Sequence, residues 1–500
     1  MKLKNTLLTF VVLALTLGGY YLGTQTANPS LSITENDSGK GYQGGVEQSA
    51  SGPSDNSSVF TGKTITVEPG QLIQDAVKAA EPGDTIRVMP GEYHETVYVD
   101  KDSIRLIGVI NKGERATLDG KGVLNDAILY SGNNFVVENF RITGFKGNGI
   151  MGQAGNNFEI RNNHIYDTGV YGIFPQLGIN GVVEYNVVSG IEDAAIYIGM
   201  SDNVDVKHND VFDSVAGIEI ENSRHAIVEN NYVHNNTGGV LAFITPGLPI
   251  KTTYDVIIRN NFISGNNHPN FGAPGSTVSG IPAGTGILIM AADQVIVEDN
   301  IISDNKTAGI LITDHANASN VTDDPESEPN PDQVALLDNV MINNGYDTIT
   351  EIKAVMALEL TQVNPDIVAV GGGTGSCILN RHRYNVIGLG DYTNCDFTNT
   401  DDIITYQLAE PAAPREIKPS ERGMIAYLGV CSGCHSYTGR LIGPPVQTIQ
   451  ALYMDDPEGL AAYIKNPTKK RPDFPEMPPQ GYLGDETLQA VAEYMLELEK

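Results

Sequence analysis

The stretch EIRNNHIYDTGVYGIFPQLGINGVVEYNVVSGIEDAAIYIGMSDNVDVKHNDV, residues 159–211, contains one pattern three times. In each copy, a short run of apolar and polar residues is followed by an asparagine and a second apolar stretch. Related copies are VVENFRI, IVENNYV, IIRNNFI, IVEDNII and ALLDNVM, and the first five copies along the chain start 22 or 23 residues apart. Short strands at such a period, separated by turns, predict the stacked coils of a parallel β-helix.

An asparagine recurs at one position of this pattern, and only the first copy has another residue there, Phe140. The seven asparagines are Asn163, Asn186, Asn209, Asn231, Asn261, Asn300 and Asn339. Asparagine tolerates left-handed backbone angles, and its amide can bond to the coils above and below. Each buried bond of this kind contributes ~1 kcal/mol. We therefore interpret these residues as a structural ladder and not as catalytic groups.

The repeats lie within residues 61–400, which begin with an amphipathic segment and the sequence PGDTIRVMPGEYHETVYVDKDSIRLIG, residues 82–108. This region resembles the right-handed parallel β-helix superfamily of pectate lyases, polyuronate epimerases and periplasmic maturation factors. The resemblance implies the fold, and it does not imply one activity, because such folds host unrelated functions.

The net charge of −30 argues against nucleic acids and anionic membrane surfaces as partners. The N-terminus, MKLKNTLLTFVVLALTLGGYYLG, has two lysines before an apolar run, residues 7–22, which is typical of an export signal. We expect residues 1–27 to be a cleaved signal peptide or a membrane anchor, followed by a disordered tether, residues 28–60. The protein is thus expected in the periplasm or at the cell surface, either soluble or anchored to the inner membrane.

Export places the four cysteines in an oxidising compartment. Cys377 and Cys395 are expected to form a disulfide there, with two free thiols as the alternative. The other two cysteines lie in CSGCH, Cys431 to His435, which is the attachment signature for c-type haem. Two cysteines three residues apart can reach both vinyl groups of a porphyrin, and His435 then faces the iron. A thioredoxin-type pair would need a strand–helix context, and a zinc site would need four ligands, whereas this region has no further Cys or His.

The segments LIGPP, residues 441–445, and FPEMPP, residues 474–479, follow the haem motif. With a closing helix, this order resembles class I cytochromes c over residues 417–500, after a Pro-rich linker, residues 401–416. By that resemblance Cys431 and Cys434 carry one haem c, His435 and Met477 are its axial ligands, and the Pro444 region accepts the His435 Nδ1 hydrogen bond. Met454 and Met495 are alternative ligands, although Met495 fits a helix core better. Helices are expected from a Ser420 cap through Leu428, over 456–464 and over 485–498.

A basic cluster precedes Met477 and consists of Lys465, Lys469, Lys470 and Arg471. It can steer an acidic redox partner towards the haem edge. A solvated charged turn explains it equally well.

The second strand of each coil should alternate between inward and outward side chains. The expected inward residues are Ile150, Ile173, Ile196, Ile218, Val240, Ile287 and Ile310. The outward residues form a mostly apolar stripe: Met151, Phe174, Tyr197, Glu219, Leu241, Leu288 and Leu311. Such a stripe needs a cover. The cover could be the insertions at 245–254, 265–284 and 314–332, a sugar stacked on Phe174 and Tyr197, or the cytochrome domain.

An enzyme acting on acidic polysaccharide would need an acid, a base and a group that neutralises a carboxylate. Candidates near the stripe are Glu219, Glu221, His268, Asp314 and His315, but they form no recognisable constellation. The acidic loop TDDPESEPNPD, residues 322–332, is a weak candidate for calcium, because it lacks EF-hand spacing and reads better as a solvated loop.

The sequence therefore predicts a mainly β protein, a right-handed parallel β-helix followed by a small all-α class I cytochrome c domain. We expect an exported single-haem electron carrier whose β-helix binds a polysaccharide or docks a protein. The alternatives are a polysaccharide lyase or epimerase with an accessory cytochrome, and a maturation factor for a periplasmic metalloenzyme.

Overall fold

The computed structural model describes residues 59–321 and 324–499. In these residues short strands build three parallel sheets, and each coil of the chain contributes strands to the sheets in turn. The segment expected to be a signal or anchor, and residues 28–58 of the expected tether, lie outside the described residues. Within them, no helix is long and apolar enough to cross a membrane.

The strands of each sheet are spaced by one coil. Sheet 1 contains Thr64–Val67, Thr85–Val88, Arg105–Gly108, Val136–Glu138, Phe158–Arg161, Ile179–Glu184, Asp202–Lys207, Arg224–Glu229, Tyr254–Arg259, Asp293–Glu298, Ala335–Leu337 and Cys377–Ile378. Sheet 2 contains Gly91–Tyr93, Ala116–Asp119, Arg141–Phe145, His164–Thr168, Val187–Ser189, Asp210–Phe212, Tyr232–His234, Phe262–Ser264, Ile301–Ser303 and Val340–Ile342. Sheet 3 contains Val97–Val99, Ile128–Tyr130, Ile150–Gln153, Tyr171–Gln176, Ala194–Gly199, Ala216–Glu221, Gly238–Phe243, Thr285–Met290, Ala308–Thr313, Ile367–Val370 and Val386–Ile387.

The registers of sheet 3 align the expected inward residues. Ile150 pairs with Ile173, Ile173 with Ile196, and Ile196 with Ile218. These side chains are fully buried in one core that extends through the β-helix. The predicted alternation of side chains in the second strand is confirmed, and burial of these aliphatic side chains is what stabilises the stack.

The asparagine ladder is present and is buried along its length. The backbone N–H and the side-chain Nδ2 of Asn186 both donate to Asn209 Oδ1, at 3.0 and 3.1 Å. The same paired bonds link Asn163 to Asn186, Asn209 to Asn231, and the later members up to Asn339. The side-chain amides therefore bond the coils together as predicted.

One detail of that prediction is wrong. The left-handed backbone lies at the residue before the ladder asparagine, for example at Asn162, Tyr185 and His208, with φ of 56, 57 and 57°. A second ladder, which the sequence analysis missed, joins Ser214 to four further asparagines on another bend: Asn236, Asn266, Asn305 and Asn344.

In the part of the chain that the structure describes, six α-helices flank the strands. Helix α1, Ile73–Ala79, lies at the start of the β-helix, and α2, Thr350–Leu358, lies in its last part. The remaining four follow the β-helix: α3, Pro419–Ala426, α4, Val446–Leu452, α5, Pro457–Lys465, and α6, Asp485–Glu497. A π-helical turn, Tyr427–Cys431, continues α3, and short 3₁₀ turns occur at Val278–Gly280, His315–Asn317, Arg381–Arg383 and Gly481–Leu483.

The expected cap at Ser420 is wrong. Helix α3 has Lys418 as its cap residue and Pro419 at its first position, because proline is already fixed at a helical φ and needs no N–H donor there. Helix α5 is capped by Asp456, whose side chain accepts a bond from Gly459 N at 2.9 Å.

Residues 400–415, here called the return segment, run back along sheet 1 towards the earlier coils. At its start, Thr400 O accepts a bond from Arg259 Nη1 at 2.9 Å, and Thr400 N donates to Glu298 Oε1 at 3.1 Å. At its end, Arg415 Nη1 donates to Leu177 O at 3.0 Å. The return segment therefore reaches coils that precede its own start by more than 100 residues.

Between these ends, asparagines of three successive coils bond to the return segment. Asn203 Nδ2 donates to Tyr406 O at 2.8 Å, Leu408 N donates to Asn180 Oδ1 at 2.8 Å, and Ala412 N donates to Asn157 Oδ1 at 2.7 Å. The predicted disulfide between Cys377 and Cys395 is present in the last coil, beside the point where the chain turns back.

Candidate functional site

The CxxCH motif lies where helix α3 passes through its π-helical turn. Cys431 ends that turn, and its carbonyl accepts bonds from Cys434 N and His435 N at 3.1 and 2.9 Å. This tight turn brings both sulfur atoms and the imidazole to one side of the chain. Single π-helical turns occur frequently at functional sites.

Both thiols of the motif are held in the protonated form. Burial raises the pKa of Cys431 to about 12 and that of Cys434 to about 11. Reactive cysteines have the opposite property, a lowered pKa that supplies thiolate. Thiols that keep their protons fit thioether bonds to a large apolar group better than disulfide exchange.

His435 is buried and oriented by one hydrogen bond. Its Nδ1 lies 2.8 Å from Pro444 O, so Nδ1 carries the proton and Nε2 keeps its lone pair for a ligand. Burial also lowers the pKa of His435, which favours the neutral ring that binds metals. Gly443 lies against the ring, and a Cβ there would overlap the imidazole. The predicted bond to the Pro444 region is confirmed.

A cavity of about 530 Å³ opens beside the motif and is lined by Cys431, Cys434, His435 and Met477 together. This size is within the range of cofactor sites. Most of its wall is apolar, including Ile442, Ile449, Leu460 and Ile464. Of the two alternative methionines, Met454 is 73% exposed, whereas Met495 is buried in α6 and also reaches the cavity. The residues present therefore fit a porphyrin, which Cys431 and Cys434 would carry and to whose iron the His435 imidazole and the Met477 sulfur would be available as donors.

The β-helix supplies one side of this cavity. Its contribution comes from bends of four successive coils: Gly122, Asn125, Gly144, Phe145, Lys146, Asp167, Thr168, Gly169, Gly190 and Glu192. Nothing in the sequence pattern marks these positions, because they join the site only through packing against residues more than 230 positions later in the chain.

The C-terminal helices pack closely on the β-helix next to the cavity. A Cβ at Gly429 would overlap Met151 Cε and Gln176 Oε1, and a Cβ at Gly433 would lie 3.0 Å from Val170 Cγ1. Ile425 of α3 is buried in a cluster with β-helix side chains such as Leu177. The two absent side chains allow the backbone that carries the haem motif to lie directly on sheet 3.

This packing accounts for the outward stripe, all of whose residues are at most 7% exposed. Its start is covered by the π-helical turn over Met151, and its later part joins one cluster with insertion residues such as Val278 and Ile281. Two of the three expected covers, the insertions and the cytochrome domain, therefore share the stripe. Phe174 and Tyr197 stack on one another, with ring centroids 4.2 Å apart, and are buried, so no open sugar-binding surface exists at this pair.

The five polysaccharide-type candidates do not converge. His268 is exposed, Asp314 caps a 3₁₀ turn through Asn317 N at 2.9 Å, and His315 Nε2 lies 2.9 Å from Ile244 O. Glu219 and Glu221 do lie together, under the cover of the stripe, and the Tyr197 hydroxyl donates to Glu221.

Glu219 and Glu221 belong to a group of carboxyl groups that tend to stay protonated. Burial raises the pKa of both, and burial together with the nearby Glu221 raises the pKa of Asp193 to about 8. No cation is among the causes that act on these groups. Protonated carboxyl groups beneath a covered surface form a buried acidic cluster, and they are not an open catalytic pair.

The described part of the acidic loop, residues 324–332, is tied to the β-helix through Asp324. Its carboxylate accepts bonds from Lys251 Nζ at 2.7 Å and Gly247 N at 2.9 Å, and these and further donors hold its pKa well below the usual range. Among residues 59–321 and 324–499, no group of three or more His, Cys, Asp or Glu side chains is arranged to hold a metal ion. Calcium stays a prediction without support from this loop.

The basic cluster lies at the edge of the cavity, where Lys469, Lys470 and Arg471 are among the lining residues. Arg471 pairs with Asp473 at 2.7 Å, and Lys470 Nζ lies 4.3 Å from the centre of the Tyr463 ring. Lys465 pairs with Asp485 at 2.6 Å. Local carboxylates thus neutralise part of the cluster, and Lys469 and Lys470 carry most of its positive charge.

Comparison with known proteins identifies both parts of the chain. Residues 121–245, 180–324 and 245–355 match the family described as right handed beta helix region. Residues 419–495 match the family described as cytochrome C oxidase, cbb3-type, subunit III. No curated protein matches the chain.

Similar solved structures share low sequence identity. An alginate lyase from Paenibacillus sp. str. FPU-7 is 14% identical, with 57% of this chain and 99% of that chain covered and a TM-score of 0.42. The A-module of a mannuronan C-5 epimerase from Azotobacter vinelandii is 14% identical, with 65% and 95% covered and a TM-score of 0.40. Pectate lyase Pel9A is 13% identical, with 62% and 87% covered and a TM-score of 0.39. The family matches and the observed sheets confirm the predicted fold in both its parts.

Proposed function

We propose that this chain, a right-handed parallel β-helix joined to a cytochrome c domain, is an exported one-electron carrier with a single haem c. The observation that carries the proposal is that Cys431, Cys434, His435 and Met477 line one mostly apolar cavity. When bound, the haem supplies an iron that takes up and releases one electron.

Each residue of the site has a definite part in this proposal. Cys431 and Cys434 hold the porphyrin covalently, as their buried neutral sulfurs allow. His435 presents Nε2 in a fixed tautomer, because Pro444 O holds Nδ1–H. Met477 provides a soft thioether donor, which favours a higher reduction potential than a second histidine would.

The β-helix serves in this proposal as the seat of the cytochrome domain. Its outward stripe is covered from within the chain, which argues against a polysaccharide groove on that face. The partner is proposed to be a redox protein with an acidic surface, which Lys469 and Lys470 at the cavity edge would attract. Rates of electron exchange with such a partner should fall as salt is added.

The Met477→Ala variant of the full-length holoprotein tests the ligand assignment. We expect a lower reduction potential, loss of the absorbance band of methionine-ligated ferric haem, and binding of small ligands to the open axial position. Met454→Ala is the matched control, because Met454 is exposed, and it should behave like the wild type. Unchanged optical and redox properties in Met477→Ala would contradict the proposal, as would a wild-type protein that is exported without covalent haem.

A further inference from the structure

The loop that carries Met477 contacts the β-helix as well as its own domain. Five residues after Met477, the hydroxyl of Tyr482 donates to the carboxylate of Asp126, which lies just before a strand of sheet 3. One residue before Met477, Glu476 O accepts a long bond, 3.4 Å, from Lys146 Nζ. Two β-helix side chains therefore hold the loop, one on each side of the methionine.

Asp126 is a fixed anchor and not a mobile surface group. It is 0% exposed. Its carboxylate accepts bonds from Asn148 Nδ2 at 2.7 Å, Asn148 N at 3.1 Å and Asn125 Nδ2 at 3.0 Å. These donors belong to two adjacent coils, so the position of the carboxylate is set by the stack and does not depend on the cytochrome domain.

Within its own domain the loop is held mainly near its two ends, where Arg440 Nη2 donates to Asp473 O and the Tyr482 hydroxyl also lies 2.6 Å from Gln480 Oε1. Gln480 N donates to Ile464 O at 3.1 Å at the end of α5, and Leu483 packs into the helical core. Residues 474–479 contain three prolines, Pro475, Pro478 and Pro479, which have no N–H to donate. The β-helix thus adds one polar contact on each side of a proline-rich stretch that has few N–H donors of its own.

We infer that the β-helix completes the haem site, with Asp126 and Lys146 acting as positioning residues for the axial loop of Met477. The inference rests on the proposed function, because it assigns a role relative to that haem. It makes the β-helix part of the cytochrome, since bends of four coils wall the cavity and two of its side chains hold the loop. Neither Asp126 nor Lys146 forms a hydrogen bond or ion pair with His435 or Met477 in the described part of the chain, so each acts through the loop.

The test compares full-length holoprotein variants by their ferric absorbance spectrum and reduction potential. Tyr482→Phe removes only the hydroxyl, Asp126→Asn removes the charge but keeps the shape, and Lys146→Ala removes the second contact. Loss of one buried hydrogen bond, worth ~1 kcal/mol, should reduce the equilibrium constant for Met477 ligation about fivefold. We therefore expect a weaker methionine–haem band and a lower potential in Tyr482→Phe and Asp126→Asn, with a smaller effect in Lys146→Ala and recovery in Lys146→Arg.

Asp205→Asn is the matched control. Asp205 is also a buried β-helix carboxylate, 1% exposed, but it accepts its bonds from the return segment, including Thr405 Oγ1 at 2.6 Å. If positioning is specific, Asp205→Asn keeps the wild-type band and potential. Far-ultraviolet circular dichroism should show the same fold in every variant.

Two results would overturn the inference. One is a wild-type band and potential in all three loop-contact variants. The other is an equal loss in Asp205→Asn, which would mean that general loosening of the interface is responsible. Met477→Ala separates these results from failure of the proposed function: if it keeps the wild-type spectrum, the ligand assignment itself is wrong and the positioning role falls with it.

Discussion

Replacement of Asn209 by alanine tests the asparagine ladder in the middle of the β-helix. Asn209 is 2% exposed. Its Oδ1 accepts the N–H of Asn186, which is fully buried, and its Nδ2 donates to Asn231 Oδ1 at 3.0 Å and Val183 O at 2.9 Å. Alanine therefore leaves the Asn186 N–H without an acceptor, at a cost of ~1–3 kcal/mol, and the lost side-chain bonds add ~1 kcal/mol.

The expected loss is therefore about 2–4 kcal/mol, a large part of the net stability of a typical domain. The assay is urea denaturation of the full-length protein, followed by the β-sheet signal in circular dichroism. Asn364→Ala is the control, because Asn364 is exposed and surface substitutions usually change stability by less than ~0.5 kcal/mol. If Asn209→Ala unfolded at the same urea concentration as the control, the ladder would set geometry without contributing to stability, and this reasoning would be refuted.

Two further predictions concern the buried carboxyls and the disulfide. Burial raises the pKa of Glu219 and of Asp193, the latter to about 8, so the folded protein binds more protons than the unfolded chain above about pH 4. The free energy of unfolding should therefore fall as the pH rises from 5 to 8, by at most ~1.4 kcal/mol per pH unit for each proton. Glu219→Gln should flatten this slope in urea denaturation series, and an unchanged slope would show that Glu219 is ionised in the folded protein. Replacement of both Cys377 and Cys395 by serine should destabilise the last coil by up to about 3 kcal/mol, given the 18-residue separation, with earlier proteolysis there. Because neither cysteine lines the cavity, the haem spectrum should not change, and an altered spectrum would show that the last coil helps to position the haem.

The β-helix was predictable because its determinants are local and periodic. The repeated asparagine and the alternation at Ile150, Ile173 and Ile196 can be read from short segments, and the structure places them as expected. The helix start at Ser420 was not predictable with the same certainty, because Pro419 competes for the first helical position.

The wall of the haem cavity could not be predicted, because it depends on packing between distant parts of the chain. Asp126 and Tyr482 are 356 residues apart, and no pattern in either segment indicates the other. The apolar stripe was the available sequence signal for this packing. It indicated that something covers the strands, but it did not indicate which part of the chain does so. The need for glycine at position 429 is clear only from the structure, where Met151 lies directly against it.

The return segment sets the position of the CxxCH motif along the β-helix. It is attached at Asn203, Asn180 and Asn157, positions 23 residues apart and so one per coil, and it delivers the CxxCH motif to a defined level of the stack. Neighbouring coils are ~4.8 Å apart. Shortening or lengthening the segment by enough residues to move one attachment would shift the haem by that distance, away from Asp126.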